Sequence, residues 1–390
     1  MHHTARVVFV GSFPPRQCGI ATFTRDLVDG YDAYAGTRSD VVAIDDRLGF
    51  SYAYESRVVA RLKEDELPSY REAAAIINAL PASVVNVQHE YGLFGGEGGA
   101  WVGEFLSAIR KPVVLTMHTV LANPSAEHID LARTLMRYAA EVVVLSETAR
   151  RLLVERYGTR IEDISVVHHG VPDVAFEGST SAKASLGLGR RPIVSTFGLL
   201  SGGKGLEYAI AAIHEVAQHY PDVLYLLLGA THPNVRAAEG ERYRDALRER
   251  IAALGLQENV AMVDRYLSLE ELLHYLRATD VYVTPYVNPD QIVSGTLAYA
   301  LAAGKAIVST PYSYARELLA EGRGVLAEFR NPHSIAVGIE RFLGYPDARA
   351  RAELAAYAFG RTMTWPHIAE GYARIFESLA PVNPLAWSAS

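Results

Sequence analysis

The stretch Phe197-Gly198-Leu199-Leu200-Ser201-Gly202-Gly203-Lys204-Gly205 sets glycines and one lysine between an apolar run, 192–197, and apolar positions at helical spacing: Leu206, Ala209, Ile210, Ile213 and Val216. The chemistry open to such a turn is anion binding. Glycines at 202, 203 and 205 let backbone amides approach a phosphate oxygen, a helix start carries positive potential, and Lys204 adds a full charge. The same residues also suit an ordinary strand-to-helix turn with a solvated lysine. A second such place is Thr284-Pro285-Tyr286-Val287-Asn288-Pro289-Asp290-Gln291-Ile292-Val293-Ser294-Gly295-Thr296, which leads into a helix that stops at Gly304. The amides and two hydroxyls of Ser294, Gly295 and Thr296 could complement Lys204 on one diphosphate, or Ser294 could simply cap the helix.

Other strand ends carry further chemistry. Gly11-Ser12-Phe13-Pro14-Pro15-Arg16-Gln17-Cys18-Gly19-Ile20-Ala21 lacks the G-x-G-x-x-G spacing of a dinucleotide site and gives no support to a nicotinamide or flavin cofactor. Gly19 either lets a pyrophosphate or sugar approach the helix start or serves the helix alone. Cys18 has no assignable base partner and reads as a bystander. Histidines follow three strands: His89 with Glu90, His118 with Thr119, and His168-His169 before Gly170. No H-E-x-x-H or Cys/His ligand spacing accompanies them, so a metal site is not expected. Neutral imidazoles that bond carbohydrate hydroxyls or exchange protons fit better, and satisfaction by nearby backbone is the plainer use. The glycine-rich run 92–99 reads as a mobile loop that shapes acceptor binding.

The elements that must hold these residues alternate along the whole chain. Strand-like runs at 6–11, 40–44, 84–87, 113–117, 142–145 and 165–168 are separated by helix-like runs at 21–31, 70–80, 101–109, 126–139 and 147–157. The pattern starts again with strands at 193–197, 224–228, 260–263, 281–284, 306–309 and 324–327. Such alternation is the signature of parallel sheets covered by helices. The expected fold class is α/β, with two doubly wound Rossmann-like domains facing across a cleft and ligands at the carboxyl ends of the strands. A stretch rich in Ser, Gly, Ala and Pro, 172–189, reads as the connection, and helix 367–379 as packing back across the first domain.

At 390 residues the chain is long for one core, which favours more than one domain. A composition of 49% hydrophobic and 21% charged residues excludes a largely disordered chain. The net charge of −7 is spread without a basic run, so no nucleic-acid partner is expected and any anion site must be built locally. Cys18 is the only cysteine, which excludes an intramolecular disulfide and suits a reducing compartment. No signal peptide is visible and no stretch is apolar for the length a bilayer span needs, so a cytoplasmic protein without stable membrane insertion is expected. The stretch 57–71, expected helical, mixes Lys and Arg with Glu and Asp, which speaks against membrane contact. No motif bears on oligomeric state.

Taken in order, these features resemble the family-4 retaining glycosyltransferases of the GT-B fold, over nearly the whole chain. Residues 198–205 look like that family's G-R-L-x-x-x-K-G segment, and 299–310 look like its E-A-x-A-x-G-x-P-V-V-A-T segment. His118, Val144-Leu145-Ser146-Glu147 and His169-Gly170-Val171 also match in position and type, and 365–379 is similar to the helix that returns to the first domain. The resemblance implies an acceptor-binding N-terminal domain (1–175), a nucleotide-sugar-binding C-terminal domain (186–362) and a returning C-terminal helix (363–390). It also implies metal-independent transfer of a sugar, with retained anomeric configuration, to the hydroxyl of a carbohydrate or small-molecule acceptor. The nucleoside diphosphate sugar is then a co-substrate, and no cofactor is needed. The diphosphate would fall to Gly202, Gly203, Lys204, Ser294, Gly295 and Thr296, and catalysis to His118, Lys204, Asp290 and Gln291. Gln291, Tyr299 and Glu317 would meet the donor ribose or sugar; Gly19, His89, Glu90 and His118 would meet the acceptor.

The chain departs from the family pattern twice. The diphosphate arginine corresponds to Leu199, which leaves Lys204 alone unless Arg16, Arg265 or Arg316 reaches in, and the E-x7-E pair falls on Gln291 and Tyr299. Gln291 keeps hydrogen bonding without charge, Asp290 supplies a carboxylate if the loop is shifted, and Tyr299 offers a phenol or packs within its helix. Two other uses of the fold stay open: a GT-B phosphorylase or nucleotide-sugar epimerase, and a nucleotide-sugar or carbohydrate-binding protein without catalysis.

Overall fold

The computed structural model describes residues 4–47 and 51–380, so 381–390 of the expected C-terminal segment lie outside the described residues. The described chain divides into two compact units, one formed by the described residues up to Gly170 together with those from 365 to 380, the other by Val171–Thr364.

In the first unit Val7–Gly11 (β1) is buried along its whole length, as a strand covered by helices on both faces must be. Around it the strands Asp40–Asp45 (β2), Val58–Lys63 (β3), Val84–His89 (β4), Val113–Met117 (β5), Glu141–Val144 (β6) and Ile164–Val166 (β7) form a parallel sheet of order β3-β2-β1-β4-β5-β6-β7. The stretch 57–71 is not one helix. Val58, Ala60 and Leu62 alternate with Val59, Arg61 and Lys63, and this period of two makes β3 an edge strand with charge on its open face. The helix begins only at Leu67, with Pro68 in its first turn.

Helix Gly19–Ala35 covers this sheet with Phe23, Leu27, Val28 and Tyr31. Helix Trp365–Leu379 buries Trp365, Ile368, Ala369, Tyr372, Ala373 and Phe376, the three-and-four spacing of a single apolar face. The Phe376 ring meets Phe9 and Tyr31 edge-on at 5.9 and 5.2 Å, and the Tyr372 hydroxyl lies 3.1 Å from Thr116 Oγ1.

The second unit repeats the plan. Ile193–Phe197 (β8), Leu224–Leu228 (β9), Val260–Val263 (β10), Val281–Thr284 (β11), Ala306–Ser309 (β12) and Val325–Leu326 (β13) form a parallel sheet of order β10-β9-β8-β11-β12-β13. The stretch 172–189, read from composition as a connection, is built into this unit. It carries helix Thr180–Ser185, whose buried Lys183 pairs with Asp280 at 2.5 Å and bonds the Arg191 carbonyl at 3.0 Å. Among the described residues no helix is long and apolar enough to cross a membrane.

Phe376 is fully buried, so Phe376→Ala should cost about 3–5 kcal/mol of unfolding free energy, read as a lowered urea midpoint. An unchanged midpoint would mean that the last helix is no part of the first unit's core.

Candidate functional site

In the second unit β8 hands the chain to Gly198 and then to a 3-10 turn, Gly202–Lys204, before helix Leu206–His219 begins. Gly205 is required at the junction. Its φ is +61°, and a Cβ there would lie 2.2 Å from the Pro285 carbonyl oxygen. The phosphate-loop candidate therefore leans on the loop after β11, and Val287 N donates to the Gly203 carbonyl at 3.2 Å.

That second loop ends at helix Gly295–Ala302, capped by Ser294, whose hydroxyl accepts from Leu297 N. The two expected halves of a clamp meet through Tyr286. Lys204 Nζ donates to the Tyr286 hydroxyl at 2.7 Å, and the Tyr286 hydroxyl lies 2.7 Å from Thr296 Oγ1. Thr296 Oγ1 in turn lies 3.1 Å from Ser294 Oγ. His232, just after β9, stands close enough for the Lys204 charge to act on it: burial first, and then that charge, lower its pKa. The sequence reading gave no role to either Tyr286 or His232. The rule that drew attention to the other histidines, a polar residue just past a strand, would have found both.

The remaining donor-side candidates are spread around this cradle. Gln291 is half-buried and turns its side-chain amide back to the Val293 carbonyl at 2.7 Å, while Asp290 N bonds Asn288 Oδ1 at 3.0 Å. The Pro289 and Gln291 carbonyls accept from Ser313 and Tyr314 at 3.0 and 3.1 Å, which ties this loop to helix Ser313–Leu318, the bearer of half-buried Glu317. Tyr299 is built into the core, 8% exposed, with its ring 6.2 Å from Phe197. The arginines expected to reach in for the one missing at Leu199 are occupied or exposed. Arg265 grips Glu271 with two bonds, Arg16 bonds the Ile44 carbonyl in the first unit, and Arg316 faces solvent.

In the first unit β4 and β5 bring His89, Glu90 and His118 to one edge. An amide relay sets the tautomer of His118. Asn86 Nδ2 donates to the Val114 carbonyl, which leaves Asn86 Oδ1 to accept from Gln88 Nε2, and Gln88 Oε1 then accepts from His118 Nε2 at 2.8 Å. His118 Nε2 thus carries the hydrogen, and Nδ1 holds the lone pair. Phe23 from helix Gly19–Ala35 stands edge-on to both His118 and His169, at 4.7 and 5.1 Å.

Burial keeps all three imidazoles neutral. It lowers His118 to about 3, with His169 and His89 adding to the effect, and lowers His89 and His169 to about 4. His169 Nδ1 meets the Gly170 carbonyl at 2.7 Å, whereas neither ring nitrogen of His89 has a hydrogen-bond partner among the described residues. Glu90 accepts from Thr119 Oγ1 at 2.6 Å and from Tyr91 N at 2.9 Å, yet burial outweighs both bonds and raises its pKa. Gly19 opens its helix in free space, for a Cβ there would meet nothing within 4 Å; Cys18 caps the same helix through Sγ to Ala21 N at 3.3 Å. The glycine-rich run is packed rather than loose: Gly95 N bonds the Tyr70 hydroxyl at 2.7 Å, and a Cβ on Gly95 would fall 1.9 Å from the Glu64 carbonyl. Among the described residues no group of three or more His, Cys, Asp or Glu is arranged to hold a metal ion.

Comparison with known proteins is consistent along the chain. Residues 179–359 match the family described as Glycosyl transferases group 1, and residues 18–174 match Glycosyltransferase Family 4. An uncharacterised glycosyltransferase of Methanocaldococcus jannaschii is 23% identical over 252 residues, 64% of this chain and 61% of that protein. The phosphatidyl-myo-inositol mannosyltransferase of Mycobacterium tuberculosis is 25% identical over 291 residues, 70% of each chain. The structure of Anabaena HepE in complex with UDP superposes with a TM-score of 0.76 at 18% identity, covering 96% of this chain and all of HepE. The two Rossmann-like sheets are those of the GT-B fold.

The depressed imidazoles have a consequence for stability. The unfolded chain protonates these rings near pH 6.5, whereas the folded unit refuses the protons down to about pH 4, so stability falls as pH drops from 6.5 towards 4. Above 6.5 the three rings contribute no pH dependence. The unfolding free energy from urea titrations across this window should drop by about 1.4 kcal/mol per pH unit for each histidine, and a flat profile would contradict neutral burial.

Proposed function

The chain belongs to the group 1 glycosyltransferases and is an enzyme of the hexosyltransferase class, and on that footing we propose that it moves a sugar from a nucleoside diphosphate donor to an acceptor hydroxyl, with retained anomeric configuration and without a metal. The observation that carries this reading is the meeting of Lys204 and Thr296 on the Tyr286 hydroxyl, which gathers an ammonium, two hydroxyls and a helix start in one place. Structures of HepE with UDP and with UDP-glucose lend support by fold.

In the proposed reaction the bond from the sugar C1 to the leaving diphosphate oxygen breaks and a bond from C1 to the acceptor oxygen forms. The acceptor's proton leaves with the diphosphate. Negative charge grows on the departing oxygen, and Lys204 with the start of helix Gly295–Ala302 offers fixed positive potential where it grows. The cradle so supplies from protein groups the charge that a bound cation would otherwise provide. With its pKa near 3, His118 is a poor proton acceptor at neutral pH. Its lone pair on Nδ1 instead takes a hydrogen bond from a hydroxyl and orients it. Gln291, Asp290 and Glu317 are the donor-sugar and ribose candidates, and His89 and Glu90 the acceptor candidates. Tyr299, packed in the core, is the weakest of the proposed contacts.

A panel of nucleotide sugars, scanned by thermal shift, donor hydrolysis and transfer, tests the reading. Lys204→Ala should lower turnover roughly a hundredfold and weaken nucleotide binding. If no nucleotide or nucleotide sugar binds at high concentration, the donor assignment falls; unchanged activity in the variant would remove Lys204 from the site.

A further inference from the structure

The cradle holds one group that neither an anion-binding turn nor the family pattern requires. We propose, resting on the donor assignment above, that Tyr286 is the positioning residue of the cradle: its hydroxyl, held between Lys204 Nζ and Thr296 Oγ1, fixes the lysine against the start of helix Gly295–Ala302 so that the three groups meet the diphosphate as one unit.

A lysine is a point charge on a flexible stem, and ordering it before the anion arrives removes a binding cost. With Leu199 in the arginine position, the cradle depends on this one side chain. Tyr286 is well placed to order it because Tyr286 is itself immobile. It is 2% exposed, its ring stacks on Tyr312 at 5.2 Å and 15°, and its carbonyl accepts from Thr310 Oγ1 at 2.6 Å. Lys204 is held twice, by the hydroxyl at 2.7 Å and over the ring face at 4.0 Å from its centroid. The order of donors runs one way. The ammonium can only donate, so the Tyr286 oxygen accepts from it and remains free to donate to Thr296 or to a phosphate oxygen.

The same geometry gives the cradle a pH dependence. The ionisable groups that face Tyr286 are Lys204, Tyr282 of β11 and Tyr312, with the hydroxyls of Ser294 and Thr296 beside them; His232 faces Lys204 in turn. Burial opposes ionisation of the phenol, but the Lys204 charge and the bonds from Lys204, Thr296 and Ser294 outweigh it and bring the pKa below the ordinary 10.0. A phenolate here neutralises Lys204. Anion affinity therefore declines at alkaline pH as the phenol loses its proton, and removing the hydroxyl flattens that decline.

Calorimetric titration of UDP, GDP and inorganic pyrophosphate into the wild type, Tyr286→Phe, Lys204→Ala and the double variant tests the inference, at neutral pH and along an alkaline series. The expected result is a loss of roughly tenfold or more for Tyr286→Phe, little further loss when it is added to Lys204→Ala, and a flattened alkaline decline. Wild-type affinity in Tyr286→Phe, losses that simply add, or an unaltered alkaline decline would each overturn it. If Tyr286→Phe melts early, Thr296→Val removes the hydroxyl's other partner, and the same non-additivity with Lys204→Ala is required. A wild type that binds none of the three probes overturns the donor assignment itself, and the role of Tyr286 falls with it.

Discussion

A strand in a parallel sheet reaches its neighbour only through a crossover, so every strand delivers its chain to a loop at the same carboxyl edge before a helix carries it back. All strand pairings in both units are parallel, and residues far apart in sequence are gathered by that rule alone. His89 ends β4 and His118 follows β5; Lys204, His232 and Tyr286 follow β8, β9 and β11. Tight loops then decide which side chains touch. Where the loop after β8 presses on the loop after β11, glycine at 205 is what permits contact, and the lysine before it arrives at the Tyr286 hydroxyl.

The two units present opposite electrostatic surroundings. In the first, packing of Phe23 and Phe94 against imidazoles strips them of protons, leaving neutral donors and acceptors suited to hydroxyl groups. In the second, one ammonium is set among hydroxyls rather than carboxylates, which suits a highly anionic partner.

Much of this was legible in the sequence. The alternation of apolar runs announces both sheets, and the lysine-bearing turn and the Ser-Gly-Thr helix start are visible as local patterns. What was not legible depends on contacts between distant residues. Lys204 and Tyr286 are 82 positions apart, and nothing local says that a tyrosine after β11 will end at the lysine. Tyr299 occupies a helical position that could face either way, and only the packing of Phe197 against it decides for the core. The strand at 58–63 was hidden for another reason. As an edge strand it keeps charges on one face, and charge mixed with Val, Ala and Leu reads equally well as a surface helix. The glycines at 92–99 look like slack, yet the approach of Gly95 to Glu64 and Trp101 shows tight packing.

The last described helix bears on the order in which the protein is made. Residues Val171–Thr364 are continuous, so everything the second unit needs has been synthesised before Trp365 is added. The first unit begins earlier but ends later, because Phe9 and Tyr31 receive their partner only when Phe376 has emerged. On the ribosome the half that starts the chain must wait, with an apolar surface uncovered, while the other half is completed within it.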